Sequence, residues 1–294
     1  MKKISKTIIF FGSGPVAAKS LDFLSNHFPI EAVITKRVPP YHRVPAPVET
    51  LAKKLQLPIF FANTKLELDD ILAEKTFQSK LGVIIDYGVI VSEKVINNFE
   101  LGIINSHFSL LPEWRGADPI TFSILSGQKK TGVSLMLIKP DLDTGKLIAQ
   151  KSLIIKPGQT TPSLTESLIN LSNQMIIDYV PKYEEGSIKP KNQPHPDRAT
   201  YSRKITKEDG FIDFNKKTAE QIEREVRAYI EWPKSYTYLL DKKIIITKAH
   251  ISDEINGPLD ITCMDNQIIS VDELIAPSGK IMSAKAFING YKLV

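Results

Sequence analysis

Cysteine is almost absent from this chain: Cys263 is the only one in 294 residues. A single thiol excludes an internal disulfide and any zinc site built on paired cysteines. Long apolar runs are absent too. None approaches the roughly 20 residues of a membrane span. The run after Met1-Lys-Lys-Ile-Ser-Lys6 is only about six residues, too short for the apolar core of a secretory signal. A reducing cytoplasm is therefore the expected compartment. No charge of one sign dominates, since 38 Lys/Arg against 33 Asp/Glu leave a net +5. That balance permits an anionic partner without requiring one. There are no internal repeats and no low-complexity tract. The length suffices for one large or two modest domains.

What is present first is an alternation of strand-like and helix-like segments. Thr7 to Phe11 reads as a buried parallel strand, Gly12-Ser-Gly14 as a tight turn, and Pro15 as the first turn of a helix through Leu21 and Leu24. A dinucleotide site is disfavoured, because the next strand, Ala32 to Thr35, runs into Lys36-Arg37 where a ribose-binding carboxylate belongs. Gly12 and Gly14 then serve to let backbone approach a ligand or a neighbouring loop. Further strands are expected at 59–61, 81–85, 102–105, 131–138 and 146–155. Helices are expected at 48–55, 66–75, 119–125 and from 164 to about 183.

The stretch Asn105-Ser-His107-Phe-Ser109-Leu-Leu-Pro112-Glu-Trp-Arg115-Gly116 follows the strand 102–105. Asn105 and His107 fall at its C-terminal end with side chains on one side, where open α/β sheets bind ligands. Asp143 sits in a Gly-containing turn, Leu142-Asp-Thr-Gly145, after another apolar run. Taken singly, each has an ordinary structural reading: a strand-end histidine, an Asp turn, a turn asparagine. Taken together they suit acyl transfer to an amine. The amide would stabilise an oxyanion, and the imidazole–carboxylate pair would take the proton of the attacking nitrogen.

Past Lys189 the composition shifts. Lys189-Pro-Lys-Asn-Gln-Pro-His-Pro-Asp-Arg198 reads as an extended linker. Beyond it come a helix from Thr218, as cap, to Tyr229 and short alternating runs at 236–240, 244–251 and 267–271, which suggest a small β-rich domain.

Asn-x-His-x-Ser-Leu-Leu-Pro-x-x-Arg-Gly followed by Leu-Asp-Thr-Gly resembles the signature of the folate-dependent formyltransferases. The tail from Pro277 to Gly290 is similar to the end of the branch that formylates aminoacylated tRNA. The resemblance implies an α/β fold. A Rossmann-like catalytic domain would occupy residues 1–188, a Pro-rich linker 189–203 and a small β-barrel (OB-like) domain 204–294. It implies a formyl group carried by 10-formyltetrahydrofolate as co-substrate, no metal, initiator methionyl-tRNA as the acceptor, a place in translation initiation, and a monomer. Asn105, His107 and Asp143 would be catalytic. Ser109, Leu110, Leu111 and Pro112, with Tyr87 and Gly88, would lie along the folate. Lys36, Arg37 and Arg43, in a Pro-rich basic loop, would contact tRNA. Arg115 is expected to hold the loop through an ion pair. Asp86 and Phe108 depart from the family pattern, which favours small residues at both places. The resemblance leaves two other readings open: a formyltransferase acting on an amino sugar nucleotide, and a degenerate folate- or RNA-binding module. One count does not help the tRNA reading. From Lys204 onward 13 Lys/Arg face 14 Asp/Glu, whereas a nucleic-acid-binding domain is usually basic.

Overall fold

The computed structural model describes residues 7–38, 46–239 and 241–291. Arg43, and most of the basic loop with it, lies outside the described residues. Strand β1 (Ile8–Phe11) is followed by α1 (Pro15–Ser25), β2 (Ile30–Thr35), α2 (Pro47–Lys54), β3 (Ile59–Phe61), α3 (Lys65–Glu74), β4 (Leu81–Ile84), α4 (Glu93–Ile96) and β5 (Ile103–His107). Then come β6 (Arg115–Gly116), α5 (Pro119–Leu125), β7 (Lys130–Leu137), β8 (Leu147–Ile154), α6 (Thr161–Glu184) and β9 (Tyr201–Ser202). The last stretch holds α7 (Ala219–Ala228), β10 (Ser235–Leu239), β11 (Lys242–Ser252), β12 (Asp260–Thr262), β13 (Ile268–Ile275), β14 (Ile281–Ser283) and α8 (Ala284–Tyr291).

Two compact units result. One comprises Met1–Gly116, Thr131–Leu153 and Thr165–Tyr201; the other comprises Ala117–Lys130, Ile154–Leu164 and Ser202–Val294. Residues 117–130 and 154–164 thus pack with the second unit although they precede position 188.

The first unit is built on a seven-stranded sheet in the order β3-β2-β1-β4-β5-β7-β8. Strands β1 to β5 pair in parallel, and β7 joins β5 antiparallel. The parallel strands are near-continuous apolar runs because helices cover both faces. Ile8, Ile9, Phe10 and Phe11 are all fully buried, each contributing roughly 1.5–3 kcal/mol through lost water contact. Strand order reverses at β1/β4, and the carboxyl ends there define the crevice where such sheets take ligands. The Rossmann-like α/β expectation holds.

The second unit carries a five-stranded antiparallel sheet, ordered β10-β11-β13-β12, with β14 also on β13. Register shifts near Lys248 in β11 bend the strand. The sheet curls into a half-barrel, so the expected OB-like barrel is met in this open form. Helix α7 lays Ile222 and Val226 on it, and α8 adds Phe287. Thr218 caps α7 in a capping box with Gln221, worth about 1 kcal/mol.

The Pro-rich stretch, expected to be an extended linker, instead holds a 3-10 turn at Pro196–Arg198 after a left-handed His195, and it is tied to the first unit. Lys191 pairs with Leu147 through two backbone hydrogen bonds, and Thr200 bonds the backbone of Pro112 and Arg115.

Candidate active site

Two loops meet at the switch point, and the end of the neighbouring strand β5 lies beside them. Gly12-Ser13-Gly14 leaves β1, Asp86-Tyr87-Gly88 follows β4, and Asn105 to His107 end β5. The first two are bonded to each other. Ser13 N–H donates to the Asp86 carbonyl at 3.0 Å and Ser13 Oγ to the Tyr87 carbonyl at 3.3 Å. Gly12 is required by this packing, whereas at Gly14 only the end of an exposed side chain stands in the way. A Cβ at Gly12 would lie 2.8 Å from the Ile85 carbonyl, and one at Gly14 would lie 2.3 Å from Asp86 Oδ2. Asp86, the first departure from the family pattern, is exposed and left-handed (φ 48°), with its carboxylate against Gly14.

Tyr87 turns its ring into the core, where its hydroxyl donates to the Ala62 carbonyl at 3.1 Å. Burial, then the charge of Glu67, raises its phenol well above the usual range. Tyr87 therefore offers the crevice its backbone, and Gly88 beside it is exposed and left-handed (φ 69°). Lys36 leans over this point: its Nζ lies 3.8 Å from where a Gly88 Cβ would be. Arg37 stands further out, with its guanidinium 4.2 Å from the Phe61 ring centre.

Strand alternation separates the faces of β5. Ser106 points to α6, meeting Ser172 Oγ at 2.6 Å, so Asn105 and His107 share the other face. The Asn105 amide is partly exposed and has no hydrogen-bond partner among the described residues. The His107 ring is buried. Its Nε2 is 2.9 Å from the Trp114 carbonyl, which can only accept, so Nε2 carries a hydrogen. Nδ1 then faces Asp143 Oδ2 at 3.7 Å.

Asp143 is brought there by the turn between β7 and β8. It adopts a left-handed backbone (φ 50°) that costs a non-glycine residue roughly 1–3 kcal/mol. Its Oδ2 accepts the Gly116 amide at 2.8 Å. Gly145 is required by proximity, since a Cβ would fall 1.6 Å from the Leu137 carbonyl. Gln193 donates to the carbonyls of Asp143 (2.7 Å) and Gly145 (3.0 Å) and accepts from Arg115 Nη2 at 2.7 Å. For Arg115, expected to hold the loop through an ion pair, the partner described is the neutral Gln193 amide.

The candidate folate loop is pinned from within. Ser134 Oγ donates to the Ser109 carbonyl (2.6 Å) and accepts the Leu111 amide (3.0 Å), and Gln150 donates to the Leu111 carbonyl (2.8 Å). Ser109, Leu111 and Pro112 are buried and only Leu110 is partly open. Phe108, the second departure, is buried as well. Sequence reading missed the Trp114 carbonyl, the Gly116 amide, Ser134, Gln150 and Gln193. Only Gly116 carried a signal, as part of the signature. Among the described residues, no cluster of three or more His, Cys, Asp or Glu is placed to hold a metal ion, and no helix is long and apolar enough to cross a membrane.

An amide donor, a buried imidazole and a carboxylate at the carboxyl edge of a Rossmann-like sheet are groups that acyl transfer to an amine can use. The formyl transferase family matches residues 6–180, and the formyl transferase C-terminal domain matches residues 204–292. The chain belongs to the formyl transferase family. Among its relatives, a methionyl-tRNA formyltransferase from Thermodesulfovibrio yellowstonii is 33% identical over 303 residues, covering 99% of this chain and 97% of the relative. One from Coxiella burnetii is 32% identical over 308 residues, covering 98% and 96%. A solved N-formyltransferase from Helicobacter canadensis, in complex with folinic acid and dTDP-3-aminofucose, shares the fold. It has a TM-score of 0.68 at 21% identity, over 90% of this chain and 98% of that one.

Proposed function

We propose that this protein transfers a formyl group from 10-formyltetrahydrofolate to the amino group of initiator methionyl-tRNA, in translation initiation in the cytoplasm. One observation carries the chemistry: the His107–Asp143 pair stands on the same sheet edge as the Asn105 amide. The two relatives named above, both methionyl-tRNA formyltransferases at 32–33% identity over nearly the whole chain, favour tRNA as acceptor.

The folate supplies the formyl group. The crevice suits it: Gly88 presents exposed backbone and Asn105 an available amide. Tyr87, Gly88 and residues 109–112 would hold it. As the amine nitrogen bonds to the formyl carbon, Asn105 donates to the oxygen that gains charge. Nδ1 of His107 takes the amine proton, and Asp143 stabilises the imidazolium so formed. The bond from the formyl carbon to the folate nitrogen then breaks, and that nitrogen receives the proton. We assign catalysis to residues 1–188, a connection to 189–203 and the second domain to 204–294, acting as a monomer.

A second reading is kept because a structural neighbour is an N-formyltransferase in complex with dTDP-3-aminofucose. One assay separates them. Purified protein with 10-formyltetrahydrofolate is offered methionyl-tRNA or amino sugar nucleotides, and the formylated product is measured. Turnover with the tRNA alone is expected. Turnover with the sugar alone overturns the acceptor, and turnover with neither favours a non-catalytic binding module.

A further inference from the structure

We infer that Gln193 is a positioning residue for formyl transfer: it sets Asp143 against His107 by fixing the turn that carries Asp143. The inference rests on the reading of His107 and Asp143 as the proton-handling pair. Three adjacent residues join everything involved. The Trp114 carbonyl holds His107 Nε2, the Gly116 amide holds Asp143 Oδ2, and the Arg115 guanidinium between them reaches Gln193 Oε1. Gln193 closes the ring from the other side, through both amide hydrogens, onto the carbonyls of residues 143 and 145.

This side chain is well suited to the task. Gln193 is 7% exposed, so water competes little for its bonds. The backbone bonds between Lys191 and Leu147 deliver it to the turn. Asp143 sits in a left-handed conformation that a non-glycine residue does not favour, and Gly145 passes so close to the Leu137 carbonyl that no side chain fits there. Two bonds from one amide hold them there. Only an amide serves both sides. A carboxylate accepts from Arg115 but cannot donate to two carbonyls.

Gln193→Glu therefore keeps the arginine link and removes the hold on the turn. The full-length protein is compared with Gln193→Glu, Asp143→Asn and the double variant, reading kcat, KM for folate and for methionyl-tRNA, and thermal stability. Gln193→Glu is expected to lower kcat about 10- to 100-fold with each KM within about threefold. In the Asp143→Asn background it is expected to cost less than about threefold more, because its effect runs through Asp143. Wild-type kcat in Gln193→Glu overturns the inference, as does an equal loss in both backgrounds. Should Gln193→Glu not fold, Gln193→Ala is judged by the same criteria, and a loss of turnover that only tracks the loss of folded protein overturns the role. Normal turnover in Asp143→Asn alone overturns the underlying site reading. A catalytic loss in Asp143→Asn with none in Gln193→Glu overturns only the role of Gln193.

Discussion

His107 Nδ1 stands 3.7 Å from Asp143 Oδ2, beyond a hydrogen bond but within ion-pair range. Both partners are otherwise secured, the ring by the Trp114 carbonyl and the carboxylate by the Gly116 amide. The pair is thus held at a separation from which it can tighten once the imidazole is charged. Removing Asn105, His107 or Asp143 is expected to lower turnover at least about 100-fold, the usual loss for an oxyanion donor or a general base. The His107→Ala/Asp143→Asn double variant is expected to lose no more than the worse single variant, since the two act as a unit. Single-turnover formylation, with folding checked by circular dichroism, measures this. Near-normal rates in His107→Ala would remove the mechanism.

Gly145 tests the turn itself. An alanine Cβ there meets the Leu137 carbonyl at 1.6 Å, so the backbone must move. Overpacking of this kind costs about 1–3 kcal/mol, and the upper end is expected because the obstacle is backbone. Urea unfolding of Gly145→Ala reads the stability, and turnover should fall along with it as Asp143 shifts. Stability within about 0.5 kcal/mol of wild type would mean that the turn relaxes freely.

Much of this site was legible beforehand, for a physical reason. Strand periodicity places Asn105 and His107 on one face without reference to the rest of the chain, although β5 continues past its apolar Ile103 and Ile104 through His107, beyond the end at 105 that the apolar run suggested. The signature carried Asp143 to the same place. Gln193 was not legible. A buried glutamine in a Pro-rich stretch has no periodicity to announce it, and its partners are carbonyls that every residue possesses. Composition likewise read residues 189–203 as a linker because prolines exclude regular structure, and they say nothing of the Lys191–Leu147 pairing. The short β12 and β14 also escaped notice, since three residues are too few to show alternation.

A pH effect on stability follows from Asp209. Its carboxylate accepts from Arg203 and from Thr206 N–H and Oγ1. The Arg203 guanidinium, helped by Thr206, holds it well below the usual carboxylate range. A folded-state pKa below the unfolded one stabilises the fold above the unfolded value near 3.9, and the benefit fades as pH falls through the folded value. Asp209→Asn is expected to lower stability at pH 7 by at least about 1.5 kcal/mol, the lower range for hydrogen bonds to a charged group. The gap between variant and wild type should narrow below about pH 4. Thermal melts across that range decide it. A gap that stays constant with pH would show that the charge contributes nothing.

The acceptor is tested by salt. A tRNA presents a dense phosphate backbone, and each Lys/Arg contact releases counterions. An amino sugar nucleotide presents a single pyrophosphate. With 13 Lys/Arg against 14 Asp/Glu from Lys204 onward, the second domain adds no net positive charge. Recognition of phosphate is then expected to fall on Lys36, Arg37 and Arg43, helped by Lys189, Lys191 and Arg198. Arg37 is exposed and held over Phe61, so its charge is presented with its side chain already ordered. Replacing Lys36, Arg37 and Arg43 together by Ser is expected to weaken tRNA binding. It should also flatten log affinity against log salt by up to about one unit per lost phosphate contact. Folate affinity is expected to hold. Lys36 stands over Gly88, so Lys36→Ser is titrated with a stable folate analogue as a separate arm, and weakened folate binding there would place Lys36 in the crevice instead. Wild-type tRNA affinity and an unchanged slope in the triple variant would leave the loop a surface connection and shift the acceptor toward the amino sugar.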